Sequence, residues 1–333
     1  MSVDFRRAIF AQPENLAAAS DAFRSAAAEV DLSALCHGTI VLSGIGASAL
    51  ALIPAVLALR AAGRRAFVVS AGELRKTSAA RLGDSFVLVS QSGASAETVA
   101  SLECIDGAPV VAISAQGDSP LAQAARVWLP LGPIPDTPVA TLSYTATLQA
   151  LGMLVDELLG GKAGRSVWQR LPELAAGVLE GSDPMSAELA ESFAQIVALD
   201  AVGGGPDHAS AGETALLGRE ALRLPSSGME TREYLHGPLE AVTEQFGSIV
   251  FGRERELSLA RELASFGAAV ALITDIAGAE AGGARTIELP SLPSLAAPVV
   301  QILPVQLLVD HVARIRGLEI GALRRQQLDT KLR

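Results

Sequence analysis

Phe86-Val-Leu-Val-Ser-Gln-Ser-Gly-Ala-Ser-Ala-Glu-Thr-Val99 carries four apolar residues into a hydroxyl-rich turn, and helical spacing resumes at Thr98, Val99 and Leu102. The pattern reads as a strand, a tight turn and a helix start. Backbone N–H groups at a helix N-terminus lack intrahelical partners and lie at the positive end of the peptide dipoles, so such a turn can seat a phosphate. Ser90, Ser92 and Ser95 add three hydroxyls and Gln91 a carboxamide. The same residues also serve as ordinary helix caps. Neither a Lys nor the spacing of a P-loop is present, which disfavours a nucleoside triphosphate and leaves a small phosphorylated ligand.

Upstream, residues 5–30 have apolar positions at helical spacing, with Pro13 expected to separate two helices. A short buried strand at 39–42 runs into Ser43-Gly-Ile-Gly-Ala-Ser48, a glycine turn opening a helix to about residue 62, with Ser48 placed to donate to a ligand. A strand at 65–70, a polar helix at 71–81 and strands at 108–114 and 126–129 follow. Gly132-Pro-Ile-Pro-Asp-Thr-Pro138 is a loop before a long apolar helix at 142–159. Strict alternation of strand and helix implies a doubly wound parallel sheet with ligands beyond the carboxyl ends of its strands, where both serine turns lie.

The polar, Gly- and Pro-containing stretch 166–184 is expected to be a linker between a first domain, 1–165, and a second, 185–333. The second half restarts the scheme: strand 196–202, turn Gly203-Gly-Gly-Pro206, helix 207–222, strands 248–252, 268–274 and 285–289, and helix 299–315. The expectation is two α/β domains of the flavodoxin-like kind in tandem, divergent copies of one unit. Where the first copy has Ser90-Gln-Ser-Gly, the second has Phe251-Gly-Arg-Glu without hydroxyls, so the phosphate seat belongs to the first.

Composition narrows the function. Half of the 333 residues are hydrophobic, only 4% are aromatic, and the formal net charge is −10. Small apolar residues suit helices packed closely on a parallel sheet, and the acidic balance argues against nucleic acid as partner. Cys36 and Cys104 are too few for a disulfide framework and wrongly spaced for a metal, so they are expected as small apolar fillers in a reducing cytosol. Residues 1–19 lack the uninterrupted apolar core of a signal peptide, and the longest apolar tracts are broken by Pro or charge. A cytoplasmic protein with no membrane partner, no metal and no cofactor is expected.

Glu213 and Glu220, two helical turns apart, share one face of a helix that begins at the ligand end of the second sheet. Either could move a proton between adjacent sugar carbons if burial lifts its pKa, or could be a solvated carboxylate paired with Arg219 or Arg223. His236, held before Gly237-Pro238, can act as acid and base, or as a plain loop residue. His208 reads as part of a helix N-terminus, His311 as a satisfied histidine of the last helix, and His37 as a loop residue.

Together, Ile45-Gly-Ala-Ser48, Ser90-Gln-Ser-Gly-Ala-Ser95, Glu220 and Glu233-Tyr-Leu-His-Gly-Pro238 resemble the double sugar-isomerase (SIS) domain family, above all the isomerase half of glucosamine-6-phosphate synthase and its stand-alone deaminase and deglycase relatives. The resemblance implies that Ser90, Gln91, Ser92 and Ser95 bind phosphate and that Ser48 lies beside the sugar. It implies that Glu220 shuttles a proton between C1 and C2, and that His236 helps open the ring in the neighbouring subunit's site. It thereby implies a homodimer with shared active sites acting on a sugar phosphate.

Three departures matter. The family's Ser-Thr-Lys at the start of the last helix of the first domain is here Ala140-Thr141-Leu142, which keeps Thr141 as a binding candidate and removes the Lys. The synthase's C-terminal Schiff-base Lys falls on Leu328, leaving Lys331, three residues on, either as the catalytic candidate supplied by the tail or as a surface lysine. The chain begins Met1-Ser2, so no nucleophilic cysteine follows the initiator and no glutaminase is expected. The reaction expected is isomerisation or deamination of a hexose or amino-hexose 6-phosphate, with a non-catalytic sugar-phosphate sensor or a fructosamine-6-phosphate-type deglycase as alternatives.

Overall fold

The computed structural model describes residues 4–76, 82–105, 107–161, 165–322, 324, 325, 327 and 329–332. Its described chain runs α1 (Phe5–Glu29), β1 (Thr39–Gly44), α2 (Ala47–Ala61), β2 (Arg65–Ser70), α3 (Ala71–Leu74), β3 (Ser85–Val89), α4 (Ala96–Ala100), β4 (Val110–Ser114), α5 (Pro120–Ala124), β5 (Val127–Pro130) and α6 (Leu142–Leu158). It continues with α7 (Arg165–Phe193), β6 (Ala198–Gly203), α8 (His208–Glu220), β7 (Ser226–Met229), α9 (Thr231–Leu235), β8 (Phe246–Phe251), α10 (Arg255–Ser265), β9 (Ala269–Thr274), β10 (Arg285–Glu288) and α11 (Ala297–Ile315).

The strands form two five-stranded sheets, β2-β1-β3-β4-β5 and β10-β9-β8-β6-β7, parallel throughout. Read from the second strand of each, both have the order 2-1-3-4-5, that of the flavodoxin-like doubly wound sheet. One compact unit comprises Glu14–Pro135, Leu142–Pro172 and Arg324–Arg333 and holds the first sheet. The other comprises Met1–Pro13, Asp136–Thr141 and Glu173–Leu323 and holds the second. The central strands are buried along their length: every residue of β3 and β4 is buried, as are five of six in β6, β8 and β9. These strands read as near-continuous Val, Ile, Leu and Ala runs because helices cover both faces.

Two helices run through residues expected to break them. Pro13 lies inside α1. A proline there leaves the carbonyl four residues back without its N–H donor, and here the buried Gln12 Nε2 donates to Ile9 O at 3.0 Å instead. Residues 166–184, expected as linker, lie within the 29-residue α7. Trp168, Leu171, Ala175, Leu179, Ser182, Ser186, Leu189 and Phe193 are buried at spacings of three and four, a helical stripe that outweighs the local Gly and Pro content. The helix expected at 71–81 is seen only as α3; residues 77–81 lie outside the described ones. Strand β7 and helix α9 were not expected. α11 is the single described helix long and apolar enough to cross a membrane by composition, and 83% of its apolar window is buried inside the protein.

Candidate functional site

In a sheet of order 2-1-3-4-5 the crevice opens between the first and third strands, beyond their carboxyl ends. In the first unit these ends lead into the Ser48 and Ser90 turns. Gly44, the last residue of β1, sets how closely the turns approach: a Cβ there would lie 3.2 Å from both the Ser48 Cβ and the Val89 carbonyl oxygen. Gly46 enters α2 with φ 59° and no capping side chain. Ser48, in the first turn of α2, is half-buried.

The Ser90 turn is built by its backbone. Ser90 N–H donates to Ile113 O, Gly93 N–H to Ser90 O, Ala115 N–H to Gln91 O and Leu121 N–H to Gly93 O. Gly93 has φ 65°, and a Cβ there would stand 2.0 Å from Ser119 Oγ, so only glycine fits. Ser119 in turn caps α5, its hydroxyl accepting from Ala122 N–H. Ser90 is buried, whereas Gln91, Ser92 and Ser95 are half-buried and keep exposed edges. Ser92 Oγ accepts from Ala94 N–H at 3.3 Å. The helix after the turn is shorter than the sequence suggests: α4 has five residues and passes into a 3₁₀ turn, Ser101–Cys104. The turn's donors therefore come mainly from loop backbone and hydroxyls rather than from the dipole of a long helix.

The C-terminal strand lies on this turn. Ala96 N–H donates to Thr330 O and Leu332 N–H to Ala94 O, making an antiparallel bridge between Ser95 and Lys331. Lys331 is thereby held beside the turn by its backbone, with its side chain exposed.

In the second sheet the equivalent of Ser90-Gln-Ser-Gly is different. Gly252 follows β8 with φ 146°, and Arg253 forms a two-point ion pair with Asp275, Nε–Oδ1 and Nη2–Oδ2 both at 2.6 Å. Its cation is already neutralised, and the turn offers no hydroxyl.

Helix α8 carries the two glutamates, but they differ. Glu213 is fully buried, and neither carboxyl oxygen has a hydrogen-bond partner among the described residues. Burial, then the charges of Glu220 and Asp136, drive its pKa well above the ordinary carboxylate range, so it is held as the neutral acid. Glu220 ends α8 with an exposed side chain, and the protein packed around it raises its pKa by desolvation. At 1.5 Å per residue the helix carries Glu220 about 18 Å from its own start. Glu220 therefore lies away from the ligand end of its own sheet, contrary to the reading that both carboxylates reach that end. Arg219 donates to Ser226 O and Arg223 to Glu319 O and Ala322 O, so neither expected carboxylate pairing of Glu220 occurs among the described residues.

The other candidates fall as follows. Thr141 is fully buried, and its hydroxyl donates to Asp136, whose second oxygen accepts the Thr141 N–H at 3.2 Å; that hydroxyl is engaged internally rather than presented to a ligand. His236 caps the C-terminus of α9 and is exposed. His311 is engaged as expected, its Nε2 2.8 Å from Asp183 Oδ1 in a cluster with Arg6. Cys36 is exposed rather than a buried filler, and Cys104 is partly exposed. No cluster of metal-ligating side chains occurs among the described residues. Asp136 was overlooked by sequence reasoning, although an Asp in a proline-rich loop five residues before a Thr at a helix start was visible.

Residues 35–156, which contain the whole first sheet, match the SIS domain family. The chain is 29% identical over 254 residues to the isomerizing glutamine–fructose-6-phosphate aminotransferase of Zymomonas mobilis, a match covering 70% of this chain and 42% of that protein. It thus spans less than half the length of the curated relatives it matches. Its fold matches the C-terminal domain of glucosamine-fructose-6-phosphate aminotransferase from Francisella tularensis, with TM-score 0.81, 22% identity and coverage of 95% of this chain and 97% of that one. It also matches the glucosamine-6-phosphate deaminase of Thermotoga maritima, with TM-score 0.81, 18% identity and coverage of 98% and 99%. The second sheet lies outside the SIS match and repeats its strand order.

Proposed function

We propose that this protein is a phosphosugar-processing enzyme that moves a proton between C1 and C2 of a hexose or amino-hexose 6-phosphate, interconverting aldose and ketose or releasing ammonia from the amino sugar. The observation that carries the proposal is the convergence of Ser48 and the Ser90–Ser95 turn at the switch point of one SIS-matched sheet. Three half-buried polar residues, Gln91, Ser92 and Ser95, can hold the dianion by neutral donors in an otherwise acidic protein. Relatives named for isomerizing and deaminating phosphosugars support the chemistry.

In this reading Glu220 is the base. Its raised pKa brings it nearer to the pH at which a carboxylate both accepts and returns a carbon-bound proton. Anchoring the phosphate restricts the motion of the reacting carbons, the source of most of the rate advantage. The exposed His236 assists ring opening in the site of a second subunit, so the working form is a homodimer. In this reading Lys331, whose backbone pairs with Ser95 and whose side chain is exposed, supplies the amine for the ketose carbonyl. With an amino sugar, proton transfer gives an imine that water hydrolyses.

Calorimetric titration tests the anchor: Ser92→Ala should weaken binding of fructose 6-phosphate by about 1–3 kcal/mol, and an unchanged affinity would put the phosphate elsewhere. Ammonia release from glucosamine 6-phosphate separates deamination from isomerisation. A ligand sensor is the second reading, favoured by Leu142 where the resemblance expects a Lys; binding without turnover would establish it.

A further inference from the structure

Helix α9 has only five residues, too few to persist by its own hydrogen bonds. Three anchors within one unit hold it. Glu230 caps it, its Oε2 accepting from Arg232 N–H at 2.6 Å and Glu233 N–H at 3.2 Å. Thr231 Oγ1 donates to Glu256 Oε1 at 2.7 Å. Tyr234, fully buried in the core under β6 and β8, donates its hydroxyl to Asp200 Oδ2 at 3.1 Å. Asp200 is the third residue of β6, buried in the middle of the sheet, with Ser227 and Ser248 as its partners in register. A carboxylate in the middle of a central strand is costly unless its hydrogen bond repays it. Burial raises the pKa of Asp200, opposed by the hydrogen bond it accepts from Tyr234, and burial raises that of the Tyr234 phenol, which keeps its proton to donate.

Around His236, Leu235, Leu239 and Val242 pack partly buried against the same core as Tyr234, while His236 and Gly237 themselves are exposed. His236 N–H bonds to Glu233 O at 3.1 Å, and Gly237 follows at φ 139°, open to solvent with nothing near its Cβ position. Among these contacts the phenol, two residues before His236, is the fully buried one that is also hydrogen-bonded into the sheet.

We propose that Asp200 and Tyr234 are a positioning pair that fixes the backbone from which His236 acts in ring opening. The proposal rests on the function assigned to His236 above. Neither residue touches substrate: the pair acts through the placement of the imidazole.

The test compares Tyr234→Phe, Asp200→Asn, His236→Ala and the Tyr234→Phe/His236→Ala double variant in the full chain. The substrates are fructose 6-phosphate and its acyclic analogue 5-deoxyfructose 6-phosphate, which needs no ring opening. Tyr234→Phe should lower kcat on the cyclic sugar about tenfold or more and leave proton exchange on the acyclic one within about twofold. Asp200→Asn, whose amide oxygen still accepts from the phenol, should retain most of the activity. The double variant should be no slower than His236→Ala alone. Equal losses on both substrates, or additive losses in the double variant, overturn the positioning role while leaving that of His236 standing. A His236→Ala variant with wild-type turnover overturns both. Independently of turnover, amide hydrogen exchange at residues 232–237 should quicken about five- to tenfold in Tyr234→Phe, and unchanged exchange there overturns the proposal.

Discussion

Replacing Glu213 by Gln should make the protein more stable at neutral pH and less sensitive to pH. Glu213 is fully buried with no hydrogen-bond partner among the described residues, and burial, Glu220 and Asp136 all push its pKa up. In the unfolded chain the carboxyl titrates near 4.3. Above that pH the unfolded chain loses the proton that the native state keeps, so unfolding releases it and stability falls as pH rises. The contribution is whole below the unfolded pKa and is lost up to the folded pKa, at about 1.4 kcal/mol per pH unit. Between pH 5 and 7 this amounts to about 3 kcal/mol if Glu213 stays protonated throughout, which for a unit of this size lowers Tm by about 6–12 °C. Glutamine keeps the shape and cannot ionise. Scanning calorimetry of both proteins from pH 5 to 8 reads the difference: the Tm of the variant should gain on that of wild type as pH rises. Two curves separated by a constant offset would refute the argument.

Gly93→Ala must adopt a left-handed φ and displace Ser119, and should cost about 2–4 kcal/mol and abolish sugar-phosphate binding, measured by denaturant titration and calorimetry. Arg223 sits at φ 59° after α8, in the left-handed region that favours glycine, and Leu224 N–H reaches back six residues to Gly218 O. Arg223→Gly should therefore be about 1 kcal/mol more stable than Arg223→Ala, which keeps the backbone strain; the reverse order in urea melts would contradict this. Gln12→Met takes the donors from Ile9 O and from Gln306 Oε1, bonded at 3.0 and 2.7 Å, and should destabilise by about 1–3 kcal/mol in the same assay.

The α/β class and the position of the serine turn were legible because buried parallel strands announce themselves as apolar runs bounded by Gly and Ser. What misled were breakers read locally. Pro13 suggested a helix end because nothing in the sequence says that Gln12 will fold back onto Ile9 O. The Gly and Pro residues of 166–184 hid a stripe that only its burial makes plain. β7, Ser-Ser-Gly-Met, is a short strand without an apolar run, paired because β6 offers it an edge. In the candidate site, the residues of the turn could be read off the chain. That Thr141 is committed to Asp136 spans only five residues and was within local reach, whereas Glu213 being buried without a partner among the described residues and Lys331 pairing with Ser95 depend on packing between distant segments, which no local pattern encodes.

The proposed role of Glu220, moving a proton between C1 and C2 of a sugar phosphate, can be observed in a single assay. Incubating the protein in heavy water with fructose 6-phosphate or glucosamine 6-phosphate, and following the C1 or C2 hydrogen by NMR, tests it directly. Solvent deuterium should enter at that carbon with the wild type, and Glu220→Gln should lose this while keeping its sugar-phosphate affinity. Full incorporation by Glu220→Gln, or none by the wild type on either sugar, would contradict it.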